Sequence, residues 1–222
     1  MGNLKEAKAL IEKSLAINKK ESSERSIDAA WSMVFLGNVY GSLGNHQKAK
    51  ELLEKSFTIY KKYSDNPERI ALVSAHLGHI YKSLGDYEKA KQLLEDSLIL
   101  CNKHFSKGTL ETTWILVLLG GVHNKLGNYD KAKSIIEQGI ALQTRLLSEN
   151  HFSIGWAFAH LANVFKNLGD YEKARSLLEK SLLIQQKLLP ENQVRKAWLL
   201  ALLGDVYREE PQRPLKMIHF RP

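Results

Sequence analysis

The chain has 222 residues, 44% of them apolar, and carries 32 Lys and Arg against 24 Asp and Glu, a formal net charge of +8. This composition excludes a disordered chain, and without a long apolar run no membrane-spanning helix is expected. The single cysteine, Cys101, rules out a disulfide within this chain and points to a reducing, cytoplasmic setting.

Three of the five prolines lie at or after Pro211, so the chain before them is free to be helical almost throughout. Residues 3–17, from Asn3-Leu4-Lys5-Glu6-Ala7-Lys8 to Leu15 and Ile17, have the spacing of an amphipathic helix. They match the second helix (B) of a two-helix unit, giving a half repeat over 2–20. Full units follow over about 26–63, 67–105, 109–147 and 151–189, and a last first-type helix (A) spans 194–208. Residues 209–222 are expected to be an irregular tail, because Pro211 and Pro214 oppose helix propagation.

Two blocks carry the repeat. The first is Leu36-Gly37-Asn38-Val39-Tyr40, which returns as Leu77-Gly78-His79-Ile80-Tyr81, Leu119-Gly120-Gly121-Val122-His123, Leu161-Ala162-Asn163-Val164-Phe165 and Leu203-Gly204-Asp205-Val206-Tyr207, at offsets of 41, 42, 42 and 42 residues. The second joins helix A to helix B: Leu43-Gly44-Asn45, Leu84-Gly85-Asp86, Leu126-Gly127-Asn128 and Leu168-Gly169-Asp170, each leading into Lys-Ala-Lys or Lys-Ala-Arg. Glycine suits the left-handed residue that ends a helix, and Asn or Asp is a natural N-cap for the next one. Small residues inside the helices, such as Gly37, Gly78, Ala90 and Ala174, let A and B approach closely. One such hairpin cannot bury its apolar face alone, so neighbours must stack on it.

At these positions the sequence resembles the tetratricopeptide repeat family, whose pattern Leu77, Gly78, Tyr81, Gly85, Tyr87 and Ala90 match nearly in full. The period of 42 is similar to the longer class found in kinesin light chains. The resemblance implies an all-α fold, an α-solenoid of antiparallel helix-turn-helix repeats in a right-handed superhelix, forming one array over 1–208. It also implies a general binding scaffold with a concave groove lined by one face of the A helices. Two family devices are missing. The Asn-Asn pair of kinesin light chains is replaced by pairs such as Ala75-His76 and Ala159-His160, and no lysine precedes Asn38 or Asn163 at the spacing of a carboxylate clamp.

Trp31, Trp114, Trp156 and Trp198 recur with the repeat, Leu72 standing in the remaining place. Each is seven residues, two helical turns, before Asn38, Gly121, Asn163 or Asp205, and Leu72 stands likewise before His79, so each pair shares a face. Lys82, Asn124, Lys166 and Arg208 continue that face. The candidate partner-binding residues are therefore Trp31, Asn38, His79, Lys82, Trp114, Asn124, Trp156, Asn163, Lys166, Trp198 and Asp205. The alternative for the tryptophans is packing between neighbouring A helices. Binding residues differ from repeat to repeat, which favours Asn38, His79, Asn163 and Asp205.

No catalytic motif, metal-ligand set or cofactor fingerprint occurs; His76 and His79 share a face but find no matching third ligand in the sequence. The expected function is a protein-interaction scaffold or adaptor that binds a peptide or helix of a partner, not an enzyme, with no cofactor. Two alternatives stand beside it: a basic helical-repeat nucleic-acid binder, disfavoured because the groove positions are not consistently basic, and a regulatory arm of a larger enzyme or signalling protein. An array cut at both ends would also expose apolar faces to self-association.

Overall fold

The computed structural model describes residues 6–13, 16, 27–104, 108–147, 151–188 and 193–210. Residues 6–13 and 16 are helical, and the rest of the half repeat and Pro211 with all that follows lie outside the described residues. Among the described residues nine further helices follow: α1 (Ile27–Ser42), α2 (His46–Tyr63), α3 (Pro67–Leu84), α4 (Tyr87–His104), α5 (Leu110–Lys125), α6 (Tyr129–Leu146), α7 (Phe152–Asn167), α8 (Tyr171–Leu188) and α9 (Gln193–Glu209). There is no strand among the described residues. The fold is all-α, a helical-repeat solenoid. Odd-numbered helices are A helices and even-numbered ones are B helices.

The chain forms two compact units, residues 1–128 and 129–222. In the first, α1 packs on α2 and α3 on α4, while α2 meets α3 and α4 meets α5. The A helices also touch in sequence, α1 with α3 and α3 with α5. In the second, α7 packs on α8, α6 on α7 and α8 on α9, and α7 touches α9.

The turns follow from their residues. Gly44, Gly85, Gly127 and Gly169 all have φ between 79° and 87°, where a side chain is disfavoured. The next residue's N–H reaches back five residues into helix A: Asn45 to the Tyr40 carbonyl at 2.9 Å, Asp86 to Tyr81 at 3.0 Å, Asn128 to His123 at 2.9 Å and Asp170 to Phe165 at 2.9 Å. That is the bond of a Schellman motif, which satisfies a carbonyl the helix end would otherwise leave open. The Asn or Asp side chain then caps helix B. Asn45 accepts from the Lys48 N–H at 3.1 Å, Asp86 from Lys89 at 3.3 Å and Asp170 from Lys173 at 3.2 Å.

Within each unit the same side chains lock A to B. Ala49, Leu53, Ala90, Leu94, Ala174 and Leu178 are fully buried on helix B. A serine one turn further on donates to a carbonyl of helix A: Ser56 to Ala30 at 2.8 Å, Ser97 to Ala71 at 2.7 Å and Ser181 to Gly155 at 2.7 Å. The recurring lysines have a local task too. Lys8 and Lys48 flank the Tyr40 ring at 5.1 and 4.8 Å, Lys50 and Lys89 flank Tyr81 at 5.4 and 5.3 Å, and Lys133 and Lys173 flank Phe165 at 5.6 and 5.3 Å. These six lysines are thus laid over aromatic faces, where a cation is attracted by the ring quadrupole.

Candidate functional site

In residues 1–128 the exposed face of the A helices gathers groups from three helices. Asn38 comes from α1, His76, His79 and Lys82 from α3, and Trp114 from α5. Asn38 Nδ2 stands 3.5 Å from His76 Nε2. The Trp114 ring lies 4.8 Å from His76 and 6.5 Å from His79, the latter edge to face. All five side chains are half-buried, partly open to water and partly crowded by protein.

The crowding sets their charge. Burial pulls both histidines down to about 4, with Lys82, His76 and His46 adding repulsion at His79. Both imidazoles are therefore neutral at physiological pH and present one donor and one acceptor each. Lys82 is lowered to about 8, first by burial and then by the charge of Lys125. It sits in the last turn of α3, where the helix dipole favours a cation, so the desolvation overrides that help.

The other candidates divide. Trp31 does not join this cluster. Its ring lies 5.2 Å from Phe35 and 6.4 Å from Tyr60, with the Arg69 guanidinium 4.7 Å away over its face. Asn124 is only 5% exposed, so it lies beneath the face and not on it.

In residues 129–222, His160 stands between two indoles, 4.4 Å from Trp156 on its own helix and 6.0 Å from Trp198 on α9. Trp156 and Asn163 are half-buried and Trp198 is 42% exposed. Lys166 is paired with Glu209 at 3.5 Å, and Asp205 with Arg208 at 3.0 Å.

Three contributors escaped the sequence reading. His76 and His160 stood there only as replacements for an absent Asn-Asn pair, or as failed metal ligands. Each is 38 residues before the tryptophan it meets, Trp114 or Trp198, and Asn38 is 38 residues before His76. That single spacing links neighbouring A helices and was available in the sequence. Lys125, which acts on Lys82, was the third. Among the described residues no group of three or more His, Cys, Asp or Glu is arranged to hold a metal ion, and no helix is long and apolar enough to cross a membrane.

Comparison with known proteins agrees with the helical-repeat fold. The profile of the tetratricopeptide repeat matches residues 1–62, 68–145, 109–182 and 153–212. No curated protein matches the sequence. Among solved structures, BtubC (BKLC) from P. vanneervenii superposes with a TM-score of 0.71 at 18% identity, over 93% of this chain and 84% of that one. The nearly identical TPR-like repeats of a Podosopora anserina kinesin light chain give a TM-score of 0.63 at 26% identity, over 85% and 90%. A Rap protein complexed with Competence and Sporulation Factor gives 0.62 at 17% identity, over 94% of this chain and 60% of that one.

Proposed function

The chain belongs to the tetratricopeptide repeat family, and from that premise we propose that it is a binding scaffold or adaptor, not an enzyme, that takes a peptide or helix of a partner protein on the exposed face of its A helices. The observation that carries this reading is the cluster of Asn38, His76, His79, Lys82 and Trp114. It unites an aromatic ring, neutral hydrogen-bonding imidazoles and a partly desolvated cation. Buried aromatic and cationic residues of this kind dominate binding hot spots. In the family's solenoids the extended face presented by stacked repeats is the binding surface. Trp156, His160, Asn163 and Trp198 form a second patch of similar make-up on residues 129–222.

The test is a peptide-library selection on the whole chain, followed by calorimetry of the selected peptide on His79→Ala and Asn38→Ala. Each variant should keep its helical circular dichroism and weaken binding by about tenfold, the equivalent of about 1.4 kcal/mol. Unchanged affinity in both would remove the face from consideration. A loss of thermal stability as large as that of a core truncation would reassign the two side chains to packing.

A further inference from the structure

Two helices lack, among the described residues, the neighbour that their repeat equivalents have. In α1 and α3 the mid-helix glycine meets helix B of its own hairpin. A Cβ built at Gly37 comes within 2.9 Å of Leu53 Cγ and 3.4 Å of the Ala49 carbonyl oxygen, and one at Gly78 within 2.9 Å of Leu94 Cγ and 3.3 Å of the Ala90 carbonyl oxygen. Gly204 holds the same place in α9, yet among the described residues nothing lies within 4 Å of its Cβ. The same side of α9 is open. Leu200 is 49% exposed where Met33, Ser74 and Leu116 are buried, and Tyr207 is 54% exposed where Tyr40 and Tyr81 are buried.

The helix of residues 6–13 and 16 shows the converse. Ala7 and Ile11 stand 42 residues before Ala49 and Leu53, the pair that meets Gly37. In α2, α4, α6 and α8 both of these positions are fully buried, but Ala7 and Ile11 are only half-buried, and Leu10 is 69% exposed. The other side of this helix is packed as a B helix should be. Tyr40 donates to Glu12 at 2.9 Å and lies under Lys8, as Tyr81 donates to Glu54 and lies under Lys50. Its open side is therefore the one that a preceding A helix would cover.

We propose that these two surfaces are made for each other between copies of this chain: α9 of one copy takes the 6–16 helix of a second copy as its helix B, and chains join head to tail. The repeat register names the contacts. Gly204 receives Ile11 and Ala7, as Gly78 receives Leu94 and Ala90. Leu200 meets Leu10, because the residues at those places in the α3–α4 hairpin, Ser74 and Leu93, are bonded at 2.9 Å. A second copy fits better than an unrelated helix because it continues an interface that the chain already builds in its own hairpins. It also brings its α1 behind the joining helix, in the place from which α3 touches α1. Leaving water is what drives the apolar side chains together. The two patches differ, so the contact is heterologous, and each added chain leaves one of each patch open. One helix pair is a small interface, so the joint forms as concentration rises. This inference goes beyond the partner-binding face proposed above and uses none of its residues.

The experiment is sedimentation of the full chain from micromolar to near-millimolar concentration, with Leu10→Arg and Gly204→Arg beside it. Both substitutions fall where the single chain has room, so helical circular dichroism should be unchanged, and each sets an unpaired charge inside the joint. The average mass of the unaltered chain should rise with concentration and pass that of a dimer. Each variant alone should associate at least about tenfold more weakly. An equimolar mixture of the two should form a heterodimer and nothing larger, because Leu10→Arg keeps an intact α9 and Gly204→Arg keeps an intact 6–16 helix. An unaltered chain that stays single at every concentration overturns the joint, whether α9 is covered from within the chain or by a different protein. Association that survives either substitution overturns it by placing the contact elsewhere. Two variants that stay single when mixed overturn the head-to-tail pairing in favour of a symmetric contact.

Discussion

Two glycines at the same repeat position should respond to alanine with opposite sign. Gly78 is buried in α3, and a Cβ built there comes within 2.9 Å of Leu94 Cγ and 3.3 Å of the Ala90 carbonyl oxygen. Leu94 is itself fully buried, so relief requires α3 and α4 to move apart. Overpacking of this kind costs about 1–3 kcal/mol. Alanine returns about 1 kcal/mol through better helix propensity, so the net destabilisation of Gly78→Ala should be about 1 kcal/mol. Gly204 in α9 has nothing within 4 Å of the same Cβ. There the propensity term acts alone, and Gly204→Ala should stabilise by about 0.5–1 kcal/mol. For a chain of this size each kcal/mol moves the melting temperature by about 2–4 °C. Stacked repeats need not melt in one step, so amide exchange in α3, α4 and α9 should be read beside the thermal scan. A rise in Tm for Gly78→Ala would refute the claim that close A–B approach requires glycine there. A fall for Gly204→Ala would mean that this side of α9 is covered.

Other outcomes can be checked on the same material. Because burial holds His76 and His79 at about 4, the unfolded chain binds more protons than the folded one between pH 6.5 and 4. Stability is thus complete above pH 6.5 and falls as pH drops towards 4, by on the order of a few kcal/mol. A His76→Asn, His79→Asn double variant should flatten this slope in pH-dependent thermal melts. Ser97→Ala removes the 2.7 Å bond to the buried Ala71 carbonyl and should cost about 1–2 kcal/mol in urea titration; Ser83→Ala, at an exposed residue bonded within its own helix, should cost much less. In single-tryptophan variants Trp198, at 42% exposure, should emit at the longest wavelength and be quenched most readily by acrylamide. A blue-shifted, protected Trp198 would contradict its placement.

The architecture was legible because its determinants are local. A glycine at positive φ, an Asn or Asp cap, and small residues where helices cross each act within one hairpin, and a 42-residue period displays them repeatedly. The sharing of a face by Leu72 and His79, or by Trp156 and Asn163, likewise needs only 3.6 residues per turn. What surrounds each position was decided by tertiary packing. Trp31 and Trp114 are equivalent in the repeat, yet one rests against Phe35, Tyr60 and Arg69 and the other against His76 and His79. Lys82 and Lys166 are equivalent too, yet among the described residues only Lys166 is paired with a carboxylate, that of Glu209. Asn124 continues the face of Trp114 and Gly121 by helical spacing but is buried. Helical periodicity assigns a side chain to a face, whereas the depth, partners and charge of that side chain depend on what the next helix, some 40 residues on, places against it.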